Sequence, residues 1–258
     1  MKALSIAASG MMAQQHRTEV VANNLANMTT TGYQKRRTEF NDLLYKHSPR
    51  RPSASSRPGE LVPGGVNMGM GVKMASVYRV NEQGTLKQTT NSLDLAIQGD
   101  GFFQIQLPNG EIALTRDGTF QMSETGQLVT HDGFPVQPGI TIPPNATSIT
   151  IGASGTIQAK IAGNDTPTNV GNIQLALFPN PGGLFPVGDN MFIATARSGN
   201  STQVAAGSGG AGTILQGFVE NSNVNAIEEI ANLIRAEKAY SMNSKVLSTA
   251  DQMMATRR

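Results

Sequence analysis

Helical periodicity is confined to the two ends of this 258-residue chain, and that confinement limits the folds open to it. Leu4, Ala7, Ala8, Met11, Val21, Leu25 and Met28 recur at steps of three and four, a narrow apolar stripe across the first thirty residues. Gln14, Gln15 and Thr18 interrupt it. Near the other end, Ile227, Ile230, Ile234, Ala239, Val246, Ala250 and Met253 trace a longer stripe, which Leu233, Tyr240 and Leu247 widen. Asn225 suits the N-cap of that second helix, with Glu228 three residues on, where a negative charge complements the helix dipole. Narrow seams suit helix on helix better than helix on sheet, so the spacing predicts that the termini pair as one coiled-coil-like unit. Separate docking of each helix on a β core is the other arrangement the pattern permits.

Between the helices the pattern changes twice. Residues 47–72, "HSPRRPSASSRPGELVPGGVNMGMGV", are rich in Pro, Gly and Ser and lack helical periodicity, which predicts an extended arm or linker. Lys35, Arg36, Arg37, Lys46, Arg50, Arg51 and Arg57 make this neighbourhood basic, but only Phe40 and Tyr45 interleave with them, so a solvated or protein-contacting arm fits better than an RNA groove. From Val77 to about Phe218, short apolar runs alternate with tight-turn pairs such as Asp100-Gly101, Asn109-Gly110, Asp117-Gly118 and Asp132-Gly133. The expected class is α+β: paired terminal helices around a central, mostly antiparallel β domain. The divisions expected are 1–32 with 222–258 for the helices, 33–76 for the arm and 77–221 for the β domain.

Chemistry is hard to find. With no Cys, disulfides, thiol catalysis and Cys-ligated zinc are excluded together. His16, His47 and His131 form no i,i+4 pair, and His131 beside Asp132 in "THDGF" is better explained by a turn than by a metal site. The glycines of "GDGFF" and "GVNMGMG" do not make a nucleotide loop, and Ser154 lacks the spacing of a nucleophile elbow. Asp94, Asp100, Asp117 and Asp132 supply the carboxylates a glycosidase needs, but three of them stand in turn-like text. A formal charge of +2 gives little field for nucleic acid. No cofactor, metal, small-molecule ligand or nucleic-acid partner is expected. "MKALSIAASGMMAQ" is too interrupted for a signal peptide and reads as a retained helix. On these residues alone a β-rich extracellular binding module and a cell-wall glycosidase both stay open.

Longer stretches narrow this. "MKALSIAASGMMAQ", "NNLANMTTTGYQKRRTEF" and "GFVENSNVNAIEEIANLIRAEKAYSMNSKVLSTADQMM" together resemble the rod and hook family of axial proteins of the bacterial flagellum. The segment from "QGTLKQTTNSLDLAIQGDGFFQIQ" to "GFPVQPGITIP" is similar to the distal-rod branch rather than to the shorter proximal-rod or usually longer hook subunits. The resemblance implies a non-enzymatic subunit that is exported unfolded through the flagellar type III apparatus, without a cleaved signal, and polymerises with itself. Its further implied partners are proximal-rod proteins, hook or hook–rod junction proteins, and the periplasmic and outer-membrane rings. It also implies that the terminal helices line an inner tube, with intersubunit contacts from Leu4, Met11, Val21, Asn23, Asn24, Leu25, Asn27, Ile227, Ile230, Ile234, Tyr240, Asn243, Val246 and Met253, while the arm bridges subunits through Arg36, Arg37, Arg50, Arg51 and Arg57. Thr29, Thr30 and Thr31, β-branched, and Gly32, free to turn left-handed, predict where the first helix stops.

Overall fold

A computed structural model describes residues 2–49, 65–162 and 166–256, with helices at both ends: α1 spans Lys2–Ala26 and α2 spans Ala226–Ala255. α2 begins directly after Asn225 and carries Glu228 and Glu229 in its first turn, as a helix dipole favours. α1 stops earlier than the threonines suggest. Asn24 turns its side chain to the backbone of Arg36, donating from Nδ2 to the carbonyl (2.8 Å) and accepting the N–H at Oδ1 (2.9 Å), which closes a turn that begins at Asn27 and carries the threonines within it. Gly32 does adopt a left-handed conformation (φ 66°), but six residues beyond the helix end. A Cβ there would lie 2.7 Å from the Asp117 nitrogen, so both conformation and space demand glycine.

The chain divides into two units, one containing residues 1–25, 36–78 and 226–258, the other 26–35 and 79–225. In the first, residues expected to form a plain extended arm are paired as ribbon. β1 (Arg36–Asp42) pairs with β4 (Val72–Arg79), and β2 (Tyr45–Pro49) runs antiparallel to β3 (Gly65–Gly69). Most residues of β1 and β4 are exposed, because a two-stranded ribbon has no second layer to cover it. Ser9 of α1 fastens β4, its Oγ accepting the Val72 N–H at 3.3 Å. Gly71 (φ 114°) lies so close to that hydroxyl that a Cβ would collide with it.

The second unit is a central antiparallel β domain. Its largest sheet has five strands in the order Val136–Gln137, Phe103–Gln106, Ile112–Thr115, Met191–Ile193, Phe185–Gly188, each antiparallel to its neighbour. A three-stranded sheet (Ala146–Ile151, Thr156–Ile161, Thr168–Asn172) and several two-stranded pairs complete it. Leu95, Ile97, Phe103, Phe120, Leu128, Val136, Ile157, Ile173 and Leu175 form its main core, in which Phe103 and Phe120 meet edge to face with centroids 5.1 Å apart. A smaller cluster gathers Phe102, Leu114, Phe178, Leu184 and Phe192. Of the turn pairs read from sequence, Gly101, Gly110 and Gly133 have positive φ, whereas Gly118 does not.

An ion pair is buried among the described residues of this unit. Arg116 Nε lies 3.5 Å from Glu220 Oε2, while the guanidinium's other nitrogens donate to the carbonyls of Gly99 and Gly101. Glu220 Oε1 accepts the Gly84 N–H at 3.0 Å, and the Glu220 carbonyl accepts that of Gly32 at 2.8 Å. Burial holds the Glu220 carboxyl above its ordinary value; Arg116 and the Gly84 N–H pull it part of the way back.

Candidate self-assembly interface

The helical unit offers two kinds of surface. The first is internal, between α1 and α2. Arg17 donates to Asn232 Oδ1 at 3.3 Å, and Asn24 Nδ2 to Glu229 Oε2 at 3.2 Å. A Cβ on Gly10 would meet Asn243 Nδ2 at 2.7 Å. Position rises along one helix as it falls along the other, so the helices run antiparallel. Gly10, Arg17 and Asn24 are spaced by seven, as are Glu229, Ala236, Asn243 and Ala250. Small residues let the axes approach: Ala7, Ala236 and Ala250 are buried, and so are Val21, Asn24 and Glu229.

The second surface faces outward. Ile227 is 82% exposed, and Ile230, Ile234, Tyr240, Met242, Val246 and Met253 are all exposed as well. Ile227, Ile230 and Ile234 fall together on the side of α2 opposite Ala236, whereas Met242, Val246 and Met253 gather about 100° further round the helix, on a flank beside Ala250. Such a run on a helix that already has a packing partner is an uncovered apolar seam.

The sequence-derived residues therefore separate. Leu4, Met11 and Leu25 are half-buried, Val21 is buried, and Asn243 sits at the α1–α2 contact. Asn23 is exposed and Asn27 half-buried. Asn24, expected to face a neighbouring subunit, is 1% exposed with its amide engaged inside the chain, so that expectation is corrected for this residue. The isoleucine stripe of α2, expected as part of the helix-pairing seam, points out, because Ala236, Asn243 and Ala250 allow closer packing than isoleucines would. The signal missed was the seven-residue series from Glu229 to Ala250, hidden because its members are small or polar. Arg36 and Arg37 are both exposed on β1; Arg50, Arg51 and Arg57 lie outside the described residues.

Nothing catalytic assembles around the acidic residues of the central unit. Asp94 is held by Asn91 (2.9 Å) and Asp117 by Thr119 (2.8 Å), each within its own turn. His131 Nε2 and Asp132 Oδ2 do approach to 3.2 Å, across an exposed turn rather than on opposite faces of a strand. No cluster of metal-ligating side chains occurs among the described residues, and no described helix is long and apolar enough to cross a membrane.

Comparison with known proteins gives this two-surface arrangement its context. Residues 4–34 match the family described as flagella basal body rod protein, residues 96–159 the flagellar hook protein FlgE/F/G D1 domain, and residues 215–256 the flagellar basal body rod FlgEFG protein C-terminal region. The flagellar basal-body rod protein FlgG of Caulobacter vibrioides is 56% identical over 254 residues, covering 98% of this chain and 97% of that one. The FlgG proteins of Borreliella burgdorferi and Bacillus subtilis are 42% and 34% identical, over 98% and 95% of this chain and 96% and 94% of their own. Similarity along essentially the whole length sets aside the binding-module and glycosidase readings: the chain belongs to the flagellar basal-body rod protein family, with the distal-rod FlgG proteins.

Proposed function

We propose that this protein is a non-enzymatic structural subunit that polymerises helically into the distal rod, the hollow shaft that carries motor torque to the hook and leaves a channel for export. The observation that carries the reading is the uncovered aliphatic face of α2 formed by Ile227, Ile230 and Ile234, on a helix whose opposite side already meets α1. A tube is built from heterologous contacts in which one patch docks on a different patch of the next copy and the rotation does not close. A two-sided helix suits this: α1 and α2 pair as a short antiparallel coiled coil through the seven-residue series, and the outward seam is left for the next subunit. The helical ends then line the inner tube, residues 33–76 bridge neighbours, with Arg36 and Arg37 placed for acidic surfaces, and residues 77–221 face outward.

The partners follow from that position: proximal-rod proteins below, hook or hook–rod junction proteins above, the surrounding periplasmic and outer-membrane rings, and the type III export apparatus on the way out. The chain crosses unfolded and keeps its first helix rather than losing it as a signal. Ordering the ends at assembly costs about 2–5 kcal/mol, offset by the seam that closes. The test is to raise the concentration of purified full-length protein and examine it by sedimentation and electron microscopy. Hollow, straight tubes support the reading, and a monomer at every concentration overturns it. Mass spectrometry of isolated basal bodies, with the first helix intact in the recovered protein, checks location and export together.

A further inference from the structure

The chain has 12 Met but no Cys and no Trp, so thioethers are its most readily oxidised side chains. Their exposure is uneven. Met12 of α1 and Met242 and Met253 of α2 are 61%, 61% and 63% exposed, whereas Met191 in the central sheet is 7% exposed. Met242, Val246 and Met253 share an exposed flank of α2 beside Ala250, and Met12 lies across α1 from Gly10, Arg17 and Asn24. Among the described residues the most accessible thioethers thus occupy the helical surfaces that the assembly reading leaves for neighbouring copies.

We propose that Met12, Met242 and Met253 are oxidation sites through which peroxide blocks the free subunit from polymerising; this rests on the assembly function above. The thioether sulfur attacks one oxygen of the peroxide. An S–O bond forms as the O–O bond breaks, and two electrons pass from sulfur to the peroxide. The departing hydroxide takes the proton of the transferred oxygen and leaves as water. The product is a sulfoxide, a strong acceptor on a formerly apolar tip, and burying it between copies without a donor is unfavourable. A free subunit presents all three thioethers. In a formed polymer the same seam is covered, so oxidation acts before assembly and not after. A sulfoxide reductase reverses the block, because the lesion lies on the reversible step of thioether oxidation.

The full-length protein, with and without hydrogen peroxide, is assayed for polymer by sedimentation and electron microscopy, and peptide mass spectrometry locates the added oxygens. The expected result is oxygen on Met12, Met242 and Met253 ahead of Met191, with the concentration needed for assembly raised about tenfold or more. The M12L/M242L/M253L variant keeps its assembly after peroxide, since leucine preserves volume and helix preference. M122L, which removes an exposed methionine of the central unit, does not protect. Treating the oxidised wild type with methionine sulfoxide reductase restores polymer, which reports on the sites without any variant. Equal assembly of treated and untreated protein with all three sulfoxides present overturns the proposal, as does a triple variant that peroxide blocks as strongly as wild type. Failure of the untreated protein to polymerise overturns the assembly reading itself, and this inference with it.

Discussion

The two units treat their apolar side chains in opposite ways. In the central unit, Leu95, Ile97, Phe103, Val136, Ile157, Ile173 and Leu175 are all fully buried, and the strands that carry them close around one another. In the helical unit the described residues that are buried are alanines, one valine, an asparagine and a glutamate, while Leu4, Leu25, Leu233 and Leu247 are only half-buried and Ile227, Ile230, Ile234 and Val246 face solvent. A chain that only had to fold would invert this and put isoleucines between its helices. The difference teaches that the central unit closes its core within one copy, whereas the helical unit leaves much of its aliphatic surface uncovered, as the proposed assembly requires.

That comparison breaks first at Phe103. Phe103→Ala removes a ring packed on Phe120 at the centre of the core and is expected to cost the central unit about 3–5 kcal/mol in denaturant unfolding. Loss of less than 1 kcal/mol would show that this core is looser than its burial implies. Next comes Ile234→Asp on the outward seam. An exposed side chain contributes little to the monomer, so circular dichroism and melting should hardly change. A buried, unpaired charge between copies should nevertheless raise the concentration needed for polymer at least about 100-fold, as sedimentation would read it. Unfolding of the monomer instead would mean that Ile234 belongs to its own core.

How much of this was legible in the sequence follows from what each pattern encodes. Terminal helices and an antiparallel β middle follow from period, turn pairs and apolar runs, because those are local. Which side of α2 meets α1 was misread, since hydrophobicity points to Ile227, Ile230 and Ile234, while close packing selects Ala236, Asn243 and Ala250. Size decided, and a hydrophobic pattern does not weigh size. The ribbon of β1 and β4 was hidden for a similar reason: mostly exposed strands lack the alternation that marks a half-buried one. Asn24 was singled out as a polar residue on a helix, but its partners, Arg36 and Glu229, are 12 and 205 positions away, and the second distance has no local signature.

Asn24 gives the comparison its next test. Asn24→Ala strands the Arg36 N–H and carbonyl and removes an amide from the Glu229 carboxylate, all inside the helical unit. The expected cost is about 1–3 kcal/mol there, seen as earlier loss of helical signal and faster hydrogen exchange at the Arg36 amide. The central unit should unfold as before; a matching fall in its stability would show that the two units do not fold independently.

Among the described residues each unit also buries one glutamate, and the partners differ: Glu229 takes an amide from Asn24, Glu220 sits beside the Arg116 cation. Burial still raises the proton affinity of Glu220 in the folded state above its ordinary value, despite Arg116. Folded protein therefore binds that proton more tightly than unfolded chain. This stabilisation is full below the ordinary glutamate range and is lost as pH rises through the raised folded value. Glu220→Gln cannot titrate, so the stability of wild type relative to the variant should fall as pH rises from about 4 towards neutral, whatever the offset between them at acid pH. Denaturant midpoints of both proteins across that range measure the slope. A difference that grows the other way would mean that the guanidinium outweighs burial and that this pair, like the α1–α2 seam, is held by its polar partners. A falling difference places Glu220 with the apolar core around it, where desolvation rather than pairing sets the energetics.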